Sequence, residues 1–495
     1  MTENNIRDFL VKIFYIGFFG FIFTLNLRAI MDPDFFWHLK TGEYIAMFKS
    51  VPSTNIFSFM FPDIKWLNHE WLSQVLFYYV YSAGGFISLI YFKAVIVTAA
   101  FIFLYLTLKK ISGCSVISLV LTALSVRLSL PLFTLRPHIF SYFLLSVLMY
   151  LLYLHDKRGK KLYQYLIPAI MLLWVNLHGM YIMGMVVLAI FTFSEGLKES
   201  QLLKIFPALC AVLLINPYTY KTLIYPFTYL VGEGRLHTHY LQEWQSINFH
   251  EGYAGYLLIF FFLNFAGMMF YKPHKSSSKN IKLREILLFF SFFYLGLSAY
   301  KNIPVMMFVI SPFTAFLLGE SSAFIKVRDK LKIWDIRHPW HFFPAHIMLV
   351  FMPLLFFFTF YNMNKTIFHP PISVQVRGID TSRFPHLAVK YLKENDFSDK
   401  RMLNLYKWGG YLIWRLYPQY KVFADGRGIM FPGKFLVRYF EFARLKTDWK
   451  KFLSDYKIEV ILWEKNSPLS AVLAESADWK KVFNDDIAEI YIRNK

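Results

Sequence analysis

Residues 12–38 read KIFYIGFFGFIFTLNLRAIMDPDFFWH, an apolar run that ends in two carboxylates and an imidazole. The run from Lys12 to Ile30 has the length that spans a hydrocarbon core, roughly 17–25 residues. It has no clear small-residue cleavage site, so we expect a retained first helix and not a signal peptide. Asp32, Asp34 and His38 then follow where the chain leaves the membrane. This placement is typical of an enzyme that works at a membrane surface.

The composition is that of a membrane protein. The chain has 495 residues, of which 56% are hydrophobic and 17% charged, whereas soluble domains average about 25% charged residues. Its two cysteines, Cys114 and Cys210, lie in or beside apolar runs, which argues against a disulfide framework. The net charge of +21 would suggest nucleic acid in a soluble protein. In a membrane protein Lys and Arg mark topology instead, so no nucleic-acid partner is expected.

The distribution of basic residues predicts the topology. If the apolar segment His69–Gly85 does not cross, 20 Lys and Arg lie in six short inner segments and 8 in the outer loops before the tail. The positive-inside rule favours this arrangement, with His69–Gly85 as an interfacial helix on the outer surface. The sequence then predicts about eleven transmembrane helices, at residues 11–30, 86–108, 114–133, 138–154, 162–177, 179–196, 203–218, 254–271, 283–300, 303–320 and 342–361.

This topology divides the chain into two domains. Residues 1–361 form an α-helical polytopic membrane domain with a cytoplasmic N-terminus and two long outer loops, 31–85 and 219–253. Residues 362–495 mix short apolar runs with helical stretches, and the predicted strands are Arg401–Tyr406, Lys421–Ala424, Lys457–Trp463 and Ile487–Ile492. This pattern predicts a soluble α/β domain on the outer side. Long domains cross the membrane regardless of charge, so the basicity of this tail does not count against its placement.

The motif Asp32-Pro33-Asp34 opens the first outer loop. Its carboxylates could act as a general base, could bind Mg²⁺ or Mn²⁺, or could cap the helix that begins near Phe35. His38 lies four residues after Asp34 and shares its helix face. That pair could be a base and its orienting group, two metal ligands, or a simple helix-surface contact.

Further ionisable residues lie at or near the same membrane face. His69 and Glu70 could face lipid headgroups, or Glu70 could favour a helix dipole. Arg136, beside His138, and Lys301 could each hold a lipid phosphate, although a cation there also snorkels without binding. The remaining candidates are His178 in a tight outer turn, and His237, His239 and Glu243 in loop 219–253, which is either a metal or sugar site or a solvated loop.

Taken together, these features resemble the GT-C superfamily of polyprenyl-phosphate-dependent glycosyltransferases. The chain is similar to the protein O-mannosyltransferases and to the aminoarabinose transferase-like bacterial families. The resemblance implies that Asp34 is the catalytic acidic residue, with Asp32 as its partner. It also implies that Arg136 and Lys301 bind the phosphate. Trp408-Gly409-Gly410-Tyr411 is only a loose echo of the oligosaccharyltransferase signature W-W-D-Y-G. Metal dependence varies across the superfamily and is left open.

The resemblance implies an inverting sugar transfer from a polyprenyl-phosphate donor to a glycan, lipid or protein acceptor. It implies a location in the bacterial cytoplasmic membrane, with the reaction at the outer face. Two other classes of protein were weighed. A transporter or lipid flippase usually has ionisable groups at the membrane midplane and internal repeats. Here Lys93 and Arg127 are the only Lys, Arg, Asp or Glu more than two residues from an end of a predicted span, and no internal repeat is seen. A non-catalytic envelope assembly protein is the third hypothesis.

Overall fold

The computed structural model describes residues 3–158, 162–195, 201–229, 241–272, 280–321 and 378–494. These ranges contain seventeen α-helices and one four-stranded sheet. The helices of the first part are α1 (Glu3–Leu25), α2 (Asp34–Phe48), α3 (Trp71–Ser112), α4 (Ser115–Ser129), α5 (His138–Arg158), α6 (Leu162–Leu177), α7 (Tyr181–Ser194), α8 (Phe206–Leu214), α9 (Tyr220–Ile224), α10 (Ala254–Met269), α11 (Leu283–Ser298) and α12 (Ile303–Glu320).

The apolar runs form helices close to the predicted spans. Among the described residues, three helical segments are long and apolar enough to cross a membrane, and six apolar helices are shorter. The predicted span 11–30 extends too far at its C-terminal end, since α1 ends at Leu25. Ile30 instead pairs in parallel with Ile379, donating its N–H to the Gly378 carbonyl at 2.8 Å. The predicted span 342–361 and the domain boundary after it lie outside the described residues.

The segment His69–Gly85 forms a helical arm separate from the span that follows it. The helix α3 is broken at Gly84 and Gly85, and Gly85 has φ +69°, a conformation that glycine adopts without strain. The first arm packs closely on α2, since a Cβ at Gly42 would lie 2.6 Å from the Gln74 carbonyl carbon. This break agrees with the prediction of two distinct helices, while the position of the arm relative to a membrane stays a prediction.

Helix α12 is the buried centre of the membrane part. Its ring of Phe308 packs on Phe101 of α3 with centroids 5.1 Å apart. Its Ser311 hydroxyl lies 3.1 Å from that of Ser125 on α4. Its Thr314 hydroxyl donates to Asn264 of α10 at 2.9 Å. These buried hydroxyl and amide groups are therefore satisfied between helices, as an apolar environment requires.

The C-terminal part, residues 378–494, is a small α/β unit. Its helices are α13 (His386–Asn395), α14 (Gly409–Leu416), α15 (Gly433–Ala443), α16 (Trp449–Asp455) and α17 (Pro468–Glu475). Its strands are β1 (Met402–Asn404), β2 (Val460–Glu464), β3 (Trp479–Asn484) and β4 (Ala488–Arg493). They form a mixed sheet in the order β1-β2-β4-β3, with β1 and β2 parallel and the other pairs antiparallel.

One predicted strand of this unit was wrong. The apolar segment Lys421–Ala424 does not join the sheet but pairs with the first outer loop, where Val422 donates to the Phe57 carbonyl at 3.0 Å and accepts from Phe59 at 3.2 Å. The ring of Phe36 on α2 also packs edge-on against Tyr411 of α14. The C-terminal unit is thus built onto loop 31–85, so both lie on the same side of the helices.

Candidate active site

The two carboxylates of the D-P-D motif have different roles. Asp32 Oδ1 accepts the backbone N–H of Asp34 at 3.0 Å and so holds the first turn of α2. Asp34 is the first residue of α2, and its Oδ2 lies 3.2 Å from Arg136 Nη2. Neither carboxylate caps α2, since its N-cap residue is Pro33 and no side chain bonds the cap position, and the carboxylate of Asp34 is directed at a cation.

Arg136 lies among three carboxylates from two outer loops. Besides Asp34, its guanidinium lies 3.7 Å from Asp32 Oδ2 and donates to Glu243 Oε2 at 3.2 Å. The turn between α4 and α5 presents it, with the Arg136 N–H donating to the Thr134 carbonyl at 3.0 Å. The side chain is 24% exposed, so the protein does not enclose it completely.

Glu70 lies within a group of imidazoles beside this cluster. Its carboxylate is 3.3 Å from His178 Nε2 and 3.8 Å from both His38 Nδ1 and His69 Nε2. Glu70 precedes the first arm of α3, while the imidazoles come from α2, the same loop and the turn after α6. The sequence placed these residues at one face, and the fold brings them into one cluster.

The hydrogen bonds around His178 assign its tautomer. Trp174 Nε1 donates to Ser141 Oγ at 2.7 Å, and the hydroxyl lies 2.7 Å from His178 Nδ1. The Met180 N–H also donates to Nδ1, at 3.4 Å. Nδ1 is therefore the acceptor and the proton resides on Nε2, which faces Glu70. This chain of contacts orients the imidazole toward the carboxylate.

His138 and Lys301 border the same region. His138 Nε2 lies 3.1 Å from the Leu132 carbonyl oxygen, and its ring is 6.4 Å from that of His178. Lys301 Nζ lies 2.9 Å above the ring of Trp244, in the loop that carries Glu243. Burial lowers the pKa of Lys301 to about 7. When protonated, Lys301 helps to lower the pKa of Glu243 and opposes the rise in the pKa of Glu70. His237 and His239 lie outside the described residues.

Burial sets the protonation of the cluster. It raises the pKa of Asp34 from 3.8 to about 7, with Asp32 and Glu243 adding to the rise and Arg136 opposing it. Burial likewise raises the pKa of Glu70 to about 7. It lowers the pKa of His69 to about 4 and those of His38 and His178 well below 6.5. The site thus combines neutral imidazoles with two carboxyls that titrate near neutral pH.

Glu243 differs from the other two acids. Burial opposes its ionisation, but Arg136 and Lys301 outweigh that effect and lower its pKa. Its carboxylate is also the most exposed of the three that surround Arg136, at 38%. Glu243 is therefore the permanent anion that holds the guanidinium, which leaves Asp34 free to exchange a proton.

The predicted metal site at Asp32 and Asp34 does not fit the geometry. The guanidinium of Arg136 already lies between these carboxylates and supplies the positive charge that a metal would bring. Among the described residues, no group of three or more His, Cys, Asp or Glu has the arrangement of a metal site.

The residues through which the C-terminal unit reaches the site were not predicted from the sequence. Gly426 lies against the Asp34 carboxyl group, and the buried ion pair of Asp425 and Arg427 flanks it. The pKa of Tyr406 is raised well above 10, first by burial and then by the charge of Asp34, so this phenol is within electrostatic reach. A signal existed in the sequence, since Asp425-Gly426-Arg427 places charges and a glycine at the end of an apolar segment.

Comparison with known proteins supports the fold but not a sequence family. No protein-family model and no curated protein matches the chain. The archaeal oligosaccharyltransferase AglB from Archaeoglobus fulgidus, solved with an inhibitory peptide and a dolichol-phosphate, is similar with a TM-score of 0.58 and 12% identity. That match covers 91% of this chain and 69% of AglB.

A second solved structure matches over almost the whole length of both chains. ArnT from Cupriavidus metallidurans bound to undecaprenyl phosphate has a TM-score of 0.52 and 11% identity, and the match covers 98% of each chain. Identities this low establish the fold and leave the chemistry to the residues of this chain. The fold of this chain is therefore similar to those of the GT-C enzymes AglB and ArnT.

Proposed function

We propose that this protein is a membrane glycosyltransferase that moves a sugar from a polyprenyl-phosphate-linked donor to an acceptor at the outer membrane face. The observation that carries the proposal is the pairing of Asp34, whose pKa is near 7, with a partly open guanidinium 3.2 Å away. A base that titrates near neutral pH beside a phosphate-binding cation is what glycosyl transfer from a lipid phosphate requires.

In the proposed reaction an acceptor hydroxyl or amine attacks the anomeric carbon of the donor sugar. The new bond forms as the bond between the anomeric carbon and the phosphate oxygen breaks. The acceptor proton passes to the Asp34 carboxylate, and the electron pair of the broken bond leaves with the polyprenyl phosphate. Attack opposite to the leaving group inverts the configuration at the anomeric carbon.

Arg136 would stabilise the leaving phosphate. Its guanidinium is bound by carboxylates in the absence of substrate, and a phosphate entering the site would replace part of those contacts with bidentate hydrogen bonds. Lys301 would add a second positive charge from the loop that precedes α12. Departure of the acceptor proton to Asp34 would then keep the total charge of the site nearly constant.

Glu70 and its imidazoles would hold the sugar or acceptor. Neutral imidazoles both donate and accept hydrogen bonds, which suits the recognition of hydroxyl groups. The orientation of His178 by Ser141 and Trp174 fixes the direction of one such donor. His38, His69 and His138 would complete this polar wall next to Asp34.

The proposed setting follows from the charge distribution of the chain. The bilayer would surround the apolar helices, the N-terminus would be cytoplasmic, and the C-terminal unit would lie on the outer side of a bacterial cytoplasmic membrane. The lipid tail of the donor would lie between helices with its phosphate at the outer surface. The acceptor would be a glycan, lipid or protein, and nucleic acid has no role.

The test is transfer by the purified full-length protein in lipid nanodiscs. The probes are synthetic short-chain polyprenyl phosphates that carry different single sugars, and the measurement is the release of polyprenyl phosphate by mass spectrometry. The wild type should release it in an acceptor-dependent manner, while Asp34→Asn should be slower by about 10²- to 10⁴-fold. Asp63→Asn, an exposed carboxylate in the same loop, is the matched control. In sealed proteoliposomes, movement of intact donor across the bilayer without release would indicate a flippase.

A further inference from the structure

Gly426 of the C-terminal unit is in direct contact with the proposed catalytic carboxylate. A Cβ at position 426 would overlap Asp34 Oδ1 and lie 2.5 Å from Cγ and 3.0 Å from Oδ2, and these are its three nearest heavy atoms. Gly426 is not among the glycines with positive φ in the described residues. Its backbone therefore accepts any residue, and only the space occupied by Asp34 demands a glycine.

The loop around Gly426 is held rigidly. Arg427 forms a buried bidentate ion pair with Asp425, at 2.7 Å for both bonds, and donates to Asn55 of the first outer loop at 3.1 Å. The side chain of Asn404 accepts the Phe423 N–H at 2.7 Å and donates to the Ala424 carbonyl at 2.9 Å. With these contacts satisfied in the interior, the backbone at Gly426 has little freedom to withdraw from Asp34.

A second close approach fixes the other side of the D-P-D motif. A Cβ at Gly410, at the start of α14, would overlap the Pro33 carbonyl oxygen and lie 3.2 Å from Trp37 Cδ1. A Cβ at Gly409 would lie 2.6 Å from Asp425 Cα. The glycines of the Trp408–Tyr411 segment therefore pack the motif and the 425–427 loop against each other with no side chain between them.

We infer that the C-terminal unit is a working part of the active site, in which Gly426 is a positioning residue that sets the location of the Asp34 carboxylate beside Arg136. The carboxylate has the Gly426 backbone on one side and the guanidinium on the other, so its rotation toward either is limited. The inference rests on the proposed function for its effect on the reaction, but not for its effect on stability.

The stability test uses Gly426→Ala alone and combined with Asp34→Ala, in the full-length protein in nanodiscs. The single change should lower the Tm by at least about 3 °C, because the new methyl group and the carboxylate compete for the same space. Asp34→Ala removes all three of the atoms that the methyl group meets, so the double variant should regain most of that loss relative to Asp34→Ala. An equal loss of Tm in both backgrounds would overturn the inference.

The activity test separates positioning from a general structural effect. Gly426→Ala should lower kcat by about 10²-fold with the KM for the polyprenyl-phosphate sugar changed less than about threefold, since a shift of about 1 Å in a reacting group has that effect. Gly255→Ala, on α10 with nothing within 4 Å of the new Cβ, is the matched control and should behave as wild type.

The outcomes distinguish the two proposals. If Asp34→Asn is inactive while Gly426→Ala retains normal kcat, the inference fails and the proposed function stands. If Asp34→Asn is fully active, the proposed function fails, and rescue of the Tm by Asp34→Ala then supports the steric contact alone. Loss of kcat in Gly426→Ala together with rescue of the Tm supports both.

Discussion

Replacing Asp34 by asparagine should stabilise the protein at alkaline pH while it abolishes transfer. The pKa of Asp34 is raised from 3.8 to about 7 by burial, so the folded protein retains a proton that the unfolded chain releases. Stability from this group is fully present below pH 4 and is lost as the pH rises through 7. Asparagine resembles the protonated acid in shape and hydrogen bonding and does not titrate.

The size of the effect follows from the shift in pKa. A difference of about 3 units at about 1.36 kcal/mol per unit amounts to about 4 kcal/mol at pH 8. This is an upper limit, since the side chain is 20% exposed and Arg136 loses one of three carboxylate partners. At pH 5 the difference should fall to about 1.6 kcal/mol, because Asp34 is then protonated in the folded wild type and only the ionisation of the unfolded chain, about 1.2 units above its pKa of 3.8, still favours unfolding.

The measurement is the Tm of the wild type and of Asp34→Asn in nanodiscs at pH 5 and pH 8. We expect the variant to gain a few degrees relative to wild type at pH 8 and less than half as much at pH 5. The exposed carboxylate of Asp63 provides the control, since Asp63→Asn should shift both values equally. If Asp34→Asn shows no greater advantage at pH 8 than at pH 5, then Asp34 ionises without cost and is not the tuned base proposed here.

Three further predictions concern the cation, the topology and metal dependence. Arg136→Lys should raise the donor KM roughly 10- to 100-fold, because a hydrogen bond to a charged group contributes about 1.5–3 kcal/mol and a lysine cannot bridge as a guanidinium does; an unchanged KM would place the phosphate elsewhere. The basic loops 155–161 and 272–284 should be cytoplasmic. Cysteines introduced there should therefore not react with impermeant reagents in intact cells, and reaction would show that the topology is the opposite of the one predicted. EDTA should leave the transfer rate unchanged, since Arg136 lies where a metal would bind; a reversible loss on chelation would show that a metal enters the site when substrate binds.

The position of the C-terminal unit changes how this architecture is understood. A soluble outer domain is often regarded as an addition that recruits an acceptor. Here Val422 pairs with Phe57, Arg427 donates to Asn55, and Ile379 pairs with Ile30. The surroundings of Asp34 are therefore formed partly by the C-terminal unit. Under the proposed function, substitutions in that unit should alter which acceptors are used.

The sequence by itself determined the membrane architecture and the membership of the polar site. Apolar runs of spanning length can be satisfied only by helices, so most helix positions were predictable to within a few residues. Asp34, Arg136, Glu70 and His178 stood out because ionisable residues are rare beside such runs. Their pairing was not predictable, because residues more than 100 positions apart meet only through the packing of separate helices.

Only the tertiary structure showed how Asp32 and Asp34 differ in their contacts and which residues of the C-terminal unit lie beside them. Asp32 and Asp34 are equivalent in the sequence, and they differ because one bonds a backbone N–H of α2 while the other points at Arg136. The segment Lys421–Ala424, predicted as a strand of the sheet, pairs instead with the first outer loop. Its apolar pattern is compatible with any extended partner, so the sequence could not show which one it pairs with. The charges of Asp425 and Arg427 marked this segment in the sequence, but the contact of Gly426 with Asp34 could not be predicted, since a glycine has no side chain to suggest a function. Its role arises from the space it leaves for Asp34.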